Sequence, residues 1–153
     1  MSMIEIKEYQ SITEVPKQWE DVIGDNLYLT IEFLTFLEKN DKCEQRYFML
    51  YDDGKLDSVF MLYTRPKYNM AMFTKFNIVR KMTMVYLPLS VTRPGIAHGK
   101  HIDEIFKFIK TIKGPKMILN LGDFNPEGYA KGLTCPKCIL TNDFADFNDY
   151  FSR

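Results

Sequence analysis

The sequence predicts an α/β or α+β fold: a mixed, largely antiparallel sheet with helices on both faces. Three observations carry this expectation. Segments with strand-like alternation and segments with helical spacing follow one another as β-α-α-β-β-β-β-α-β, then a short strand and the start of a further helix. Asp53-Gly54 stands between two apolar runs, the pattern of a two-residue type I′ hairpin, which needs positive φ at both central residues. The first of those runs is apolar on both faces, with Tyr47, Met49 and Tyr51 on one and Phe48 and Leu50 on the other. Such a hairpin belongs inside a sheet covered on both sides.

Met3–Tyr9 alternates and reads as a strand with Ile4 and Ile6 inward. Ser11-Ile12-Thr13-Glu14 has capping-box spacing and predicts a helix from Ile12. Pro16 falls near its first turn, Trp19, Val22 and Ile23 share a face, and Gly24 closes it. Thr30 caps a second helix, Ile31–Lys39, striped by Ile31, Leu34 and Leu37 and widened by Phe33 and Phe36, so that both sides of it are expected to touch protein.

Arg46–Tyr51 and Leu56–Tyr63 form the hairpin, and Met70–Phe76 and Met82–Leu87 read as two more strands joined through Asn77–Lys81. Pro88 ends the second of these, because it cannot donate to a ladder. After a loop, Thr92–Lys100, helical spacing of Ile102, Ile105, Phe106, Ile109 and Ile112 marks a helix closed by Gly114-Pro115. Lys116–Leu121 follows as a buried strand, 122–134 as a Gly-, Pro- and Asn-rich loop, and Cys138–Thr141 as a last strand. The domain division expected is 1–141, with 142–153 beginning a helix striped by Phe144, Phe147, Tyr150 and Phe151.

The chain has 153 residues, 20 Lys+Arg against 20 Asp+Glu and 46% hydrophobic residues, which suits one self-sufficient core. Zero net charge argues against a domain dominated by nucleic-acid or membrane-surface electrostatics, so neither partner is expected. No apolar run reaches the roughly 18 residues of a membrane span, and the first ten residues carry no signal peptide. Three cysteines, an odd number, fit a reducing, cytoplasmic compartment better than a disulfide scaffold.

The order of elements resembles the acetyltransferase fold called GNAT, and the chain is similar to the first half of tandem-GNAT acyltransferases of the FemAB-like group. The likeness rests on Trp19 in the first helix, Phe33-Leu34-Thr35-Phe36-Leu37-Glu38 in the second, the hairpin Tyr47–Tyr63 and Ile118-Leu119-Asn120-Leu121 as fifth strand. It continues through Cys138-Ile139-Leu140 and Phe144–Arg153, which look like the junction where the second half of such proteins begins. The resemblance implies a cytosolic N-acyltransferase half, non-catalytic and inactive alone. The rest of the enzyme, a C-terminal acyltransferase half, would be its partner.

In GNAT enzymes the pyrophosphate of acyl-CoA is held by N–H groups of the loop before a helix, with the pattern (Q/R)xxGx(G/A). The corresponding stretch here, Arg93-Pro94-Gly95-Ile96-Ala97-His98-Gly99-Lys100-His101, has Ile96 where Gly is needed, and Pro94 lacks a donor. Arg93, Gly95, Gly99 and Lys100 remain the residues that could hold a phosphate of acetyl-CoA or another acyl-CoA. The departure fits a half that leaves the cofactor to the other half. No catalytic base is identified. Two other readings stand beside this one. The first is a non-enzymatic module that dimerises through Phe144, Phe147, Tyr150 and Phe151. The second is a small self-contained acetyl-CoA-dependent acetyltransferase with a degenerate loop.

Other candidate chemistry is thin. Cys135-Pro136-Lys137-Cys138 is a lone CxxC, read as free thiols; only Cys43, His98 and His101 could complete a metal site, and their spacing does not require one, while a redox or disulfide pair would need a turn at Pro136-Lys137 to bring the sulfurs together. Asp52, Asp53 and Asp57 read as turn and hairpin residues, and Asp143, Asp146 and Asp149 as a solvated face. Met70, Met72, Phe73, Met82, Met84 and Tyr86 read as core, or as the lining of an acyl channel, since Met packs adaptably.

Overall fold

The computed structural model describes residues 3–72, 74–90, 93–122 and 124–132. The expected strand Cys138–Thr141, the helix beginning at 142, the domain division at 141 and the CxxC lie outside these residues. The fold is α+β: a six-stranded, mostly antiparallel sheet with a helix on each face.

Strands β1 (Ile4–Tyr9), β2 (Glu44–Asp52), β3 (Lys55–Asn69) and β4 (Val79–Val85) pair antiparallel in that order. The short β5 (Ile96–Ala97) pairs with β3, and β6 (Lys116–Ile118) runs parallel to β4. Helix α1 (Ile31–Asn40) precedes β2, and α2 (Ile102–Thr111) links β5 to β6. A parallel pair cannot be joined by a tight turn, and α2 lies in the connection between β4 and β6. The turn joining β2 to β3 has φ of 47° at Asp53 and 78° at Gly54, as the type I′ hairpin requires.

The alternation read in the sequence divides the core into two layers. On one face Tyr47, Met49, Tyr51, Val59, Met61 and Tyr63 pack against Trp19, Leu29, Leu34 and Leu37. On the other, Phe48, Leu50, Phe60 and Leu62 pack against Ile105, Phe106 and Ile109 of α2. Phe48 and Phe60 occupy paired register positions and stack with centroids 4.8 Å apart. Thr30 caps α1 as expected, its hydroxyl accepting the Phe33 N–H at 3.2 Å.

The expected first helix is replaced by two short 3-10 turns, Ile12–Glu14 and Lys17–Asp21, and a third, Leu27–Leu29, follows Gly24. Pro16 is the reason: a residue before proline is pushed out of helical conformation, and Val15 is extended (φ −73°, ψ 128°). The capping box does not close: Ser11 accepts the Thr13 N–H rather than that of Glu14, and Glu14 accepts the Gln10 N–H rather than that of Ser11. Trp19 still reaches the core, where its ring is fully buried and its indole N–H donates to the Leu29 carbonyl at 2.6 Å. Phe36 is 53% exposed, so only the Phe33 side of α1 gains a second contact, edge-on to Tyr28.

The region after the hairpin differs most. β3 continues to Asn69, the described residues of the expected strand Met70–Phe76 form turn, bend and loop rather than strand (Phe73 lies outside the described residues), and part of the expected connector Asn77–Lys81 belongs to β4 from Val79 onward. Pro66 does not end β3, because it falls where the ladder to β4 is irregular, between Arg65 and Tyr68, and where pairing to β2 has already stopped at Thr64. The strand after α2 ends at Ile118 rather than Leu121, since Asn120 adopts φ of 63°. The loop 93–100 contains β5, whose two residues were too few to show a period.

Candidate functional site

The start of α2 is where the chain could hold an anion, and the structure shows what stands there. β5 brings the loop alongside β3, so that Gly99, Lys100 and His101 face the beginning of β3. The Ser58 hydroxyl accepts the Gly99 N–H at 3.2 Å. The Asp57 carboxylate accepts the N–H groups of Lys100 at 2.9 Å and His101 at 3.2 Å. Ser58 also donates its own proton to Asp57 at 2.6 Å. Burial alone would raise the Asp57 carboxyl, but the hydrogen bonds from Ser58, Lys100 and His101, with the His101 ring nearby, outweigh it and hold the group below its ordinary value.

An internal carboxylate therefore caps the segment entering α2. His101, at the N-cap position, offers no side-chain cap; its Nε2 instead meets Asp52 Oδ2 at 3.0 Å. Asp52, Asp57, Ser58 and His101 thus form one polar cluster between the hairpin and the helix start. Sequence reading treated Asp52 and Asp57 as hairpin residues and missed this contact, because 44 residues separate Asp57 from His101.

The four residues suggested for phosphate contact fall into two groups. Gly99 and Lys100 belong to the Asp57 cluster. At Gly99 an added Cβ would press on the Asp57 carboxyl and come within 2.9 Å of the Asp57 carbonyl oxygen. Gly95 lies against β4, where a Cβ would come within 2.9 Å of the Tyr86 nitrogen, and its carbonyl accepts the Met61 N–H at 3.1 Å. Arg93 turns the other way and grips Asp25 with its two terminal guanidinium nitrogens, Nη2 at 2.8 Å and Nη1 at 3.2 Å. Its carbonyl accepts from Asn120 at 3.2 Å. The glycines of this loop thus allow close approach of the protein's own backbone and side chains.

Beside the cluster a cleft of about 80 Å³ is lined by Pro94, Ile96, His98, Ile102, Asn120, Leu121 and Phe124. That is room for a few water molecules and far below the roughly 300–1,000 Å³ of an ordinary small-molecule site. His98 stands at this cleft and His101 at Asp52, so the two histidines do not converge. Among the described residues no group of three or more His, Cys, Asp or Glu could hold a metal ion.

On the opposite face, Asp41 ties the end of α1 to β3. Its carboxylate accepts the Tyr63 hydroxyl at 2.6 Å and the Cys43 N–H at 2.8 Å. Burial favours the neutral acid, and the bonds from Tyr63 and Cys43 overcome it, so Asp41 lies below its ordinary value. Tyr63 is pushed well above the usual phenol range, by burial first and then by its bond to Asp41. Met82 and Met84 are core as expected, whereas Met70 and Met72 are about half exposed and lie outside the core. Among the described residues, no helix is long and apolar enough to cross a membrane.

No family model, no curated protein and no solved structure matches this chain.

Proposed function

We propose that this chain is the N-terminal, non-catalytic half of a cytosolic GNAT/FemAB-like N-acyltransferase. It shapes the acceptor side of a site for acyl or aminoacyl transfer to an amine. A second unit brings the acyl donor and the general base. Transfer in such a site is attack of a positioned amine on a thioester or ester carbon, with the base taking the amine proton.

One observation carries the cofactor-free part of this reading: the Asp57 carboxylate lies across the N–H groups of Lys100 and His101. Lys100 is one of the residues named for phosphate contact, its N–H is already taken, and a second anion brought there would be repelled. The order of an antiparallel run, a helix and a parallel strand agrees with the resemblance seen in the sequence.

Thermal unfolding with 1 mM acetyl-CoA tests the cofactor-free part, because a ligand that prefers the folded state raises Tm. The expected result is no shift. A rise of several degrees overturns it in favour of a self-contained acetyltransferase. Reading the gene beyond the Arg153 codon, and its neighbours, tests the two-unit part. A second acyltransferase segment is expected, and its absence from both places overturns the proposal.

A further inference from the structure

We infer that the β3–β4 hairpin is a lipid-docking arm, an exposed ribbon that seats its tip in an anionic membrane surface. β2 pairs with β3 only as far as Thr64, and β6 pairs with β4 only from Thr83. Arg65–Asn69 and Val79–Met82 therefore have only each other among the described strands. At about 3.3 Å per residue the ribbon runs roughly 15 Å past the sheet before its turn. Two strands alone are marginally stable in water, so a ribbon of this kind gains from a surface to lie against.

The tip is held and apolar. Asn69 Oδ1 accepts the N–H groups of Ala71 at 3.0 Å and Ile78 at 3.2 Å, and Met70 N–H donates to the Ile78 carbonyl at 2.9 Å, closing the neck of the turn. Around that neck Met70, Met72, Phe76, Ile78 and Val79 stand 51%, 48%, 73%, 48% and 40% exposed. Half of the ten large hydrophobic side chains most exposed among the described residues fall between Met70 and Val79. A patch so concentrated marks an interaction site rather than scattered surface.

The charge is segregated with it. Residues 65–81 contain Arg65, Lys67, Lys75, Arg80 and Lys81 and no acidic residue, so the remainder of this neutral chain is net acidic. All five cations are exposed, and four of them lie on the ribbon below the tip. Lys81 meets Glu44 at 3.3 Å and Arg65 lies over the Tyr63 ring; the others make no ion pair among the described residues.

An apolar tip above a cationic stem fits a bilayer bearing anionic headgroups. The tip enters the acyl boundary while the cations stay at phosphate level, and Lys75 can snorkel. A nucleic acid would satisfy the cations and leave Met70, Met72, Ile78 and Val79 in water, since aliphatic side chains give bases little to stack on.

Sedimentation of the full chain with vesicles tests this, using phosphatidylcholine alone and with 30% phosphatidylglycerol at 0.1 M and 0.5 M NaCl. Binding is expected only with phosphatidylglycerol, at least fivefold weaker at high salt, and about tenfold weaker in Met72→Ser/Phe76→Ser. Lys75→Glu/Arg80→Glu should lose at least tenfold, whereas Leu27→Ser, another exposed apolar site, should match the wild type. Circular dichroism melting shows that each variant stays folded. The inference is overturned by no binding at 1 mM lipid, or by equal binding to uncharged vesicles. Retention of full affinity by the tip variant would overturn it too. So would a 30-nucleotide oligomer binding where vesicles do not, or an arm-dependent dimer in size exclusion that ignores vesicles.

Discussion

The carboxylate of Asp57, near the start of β3, accepts the backbone N–H of Lys100 at 2.9 Å, tying the hairpin to the segment that enters α2. The bond joins residues 43 apart in sequence and closes the α2 layer onto the sheet. It gives an anion to the place where the resemblance implied that one would be received.

Replacing this carboxylate costs stability in a pH-dependent way. Asp57→Asn should destabilise the fold by about 1–2 kcal/mol at neutral pH, the scale of a lost charged cap. Because the folded carboxyl lies below its ordinary value of 3.8, its contribution is complete above that value. It is lost as pH falls through the lower, folded value. Urea midpoints from pH 7 to pH 3 should therefore show wild type and variant converging at the acid end. Asp41 shifts in the same direction, so the wild type should lose stability in acid through both groups.

The loop glycines distinguish internal packing from ligand binding. Gly99→Ala and Gly95→Ala should each destabilise by about 1–3 kcal/mol without any ligand, since each Cβ meets backbone or carboxylate atoms within 2.9 Å. Gly132→Ala, with nothing within 4 Å among the described residues, should change stability by less than about 1 kcal/mol. Urea denaturation of the three variants checks this. A wild-type midpoint for Gly99→Ala would show that the close contact with Asp57 is not a tight one.

Trp19 anchors the segment that failed to become a helix. Its ring packs edge-on to Tyr47 with centroids 6.1 Å apart, and its N–H bonds Leu29 at 2.6 Å. Trp19→Ala should cost about 3–5 kcal/mol. Trp19→Phe should cost less, about 1–3 kcal/mol, by leaving the buried Leu29 carbonyl without its donor. Circular dichroism in urea is the measurement, because the variants lose the protein's single tryptophan signal.

Much of the fold was legible because it rests on local pattern. The alternation of Tyr47–Tyr51 set which side chains share a face, and Asp53-Gly54 set the hairpin turn, although a bulge between Leu50 and Tyr51 shifts the register beyond it. The spacing of Ile105, Phe106 and Ile109 marked α2 and its buried face, and Thr30 marked the start of α1. These features depend on residues within a few positions of one another.

Other features depended on partners far along the chain. Asp57 is a hairpin residue by its neighbours and, by its contact with Lys100 and His101, the group that fixes the segment leading into α2. Pro66 is tolerated inside β3 because pairing to β2 has already ended beside it. Met70, Met72 and Phe76 match the composition of a core strand, yet they stand in water because the sheet stops before reaching them. The sequence by itself determined the class of fold, the hairpin and the two buried faces, since periodicity and turn chemistry act locally. Only the tertiary structure decided that the donors before α2 are already taken and that an apolar, cationic ribbon is left over. Both follow from which strands run alongside which, and for how far.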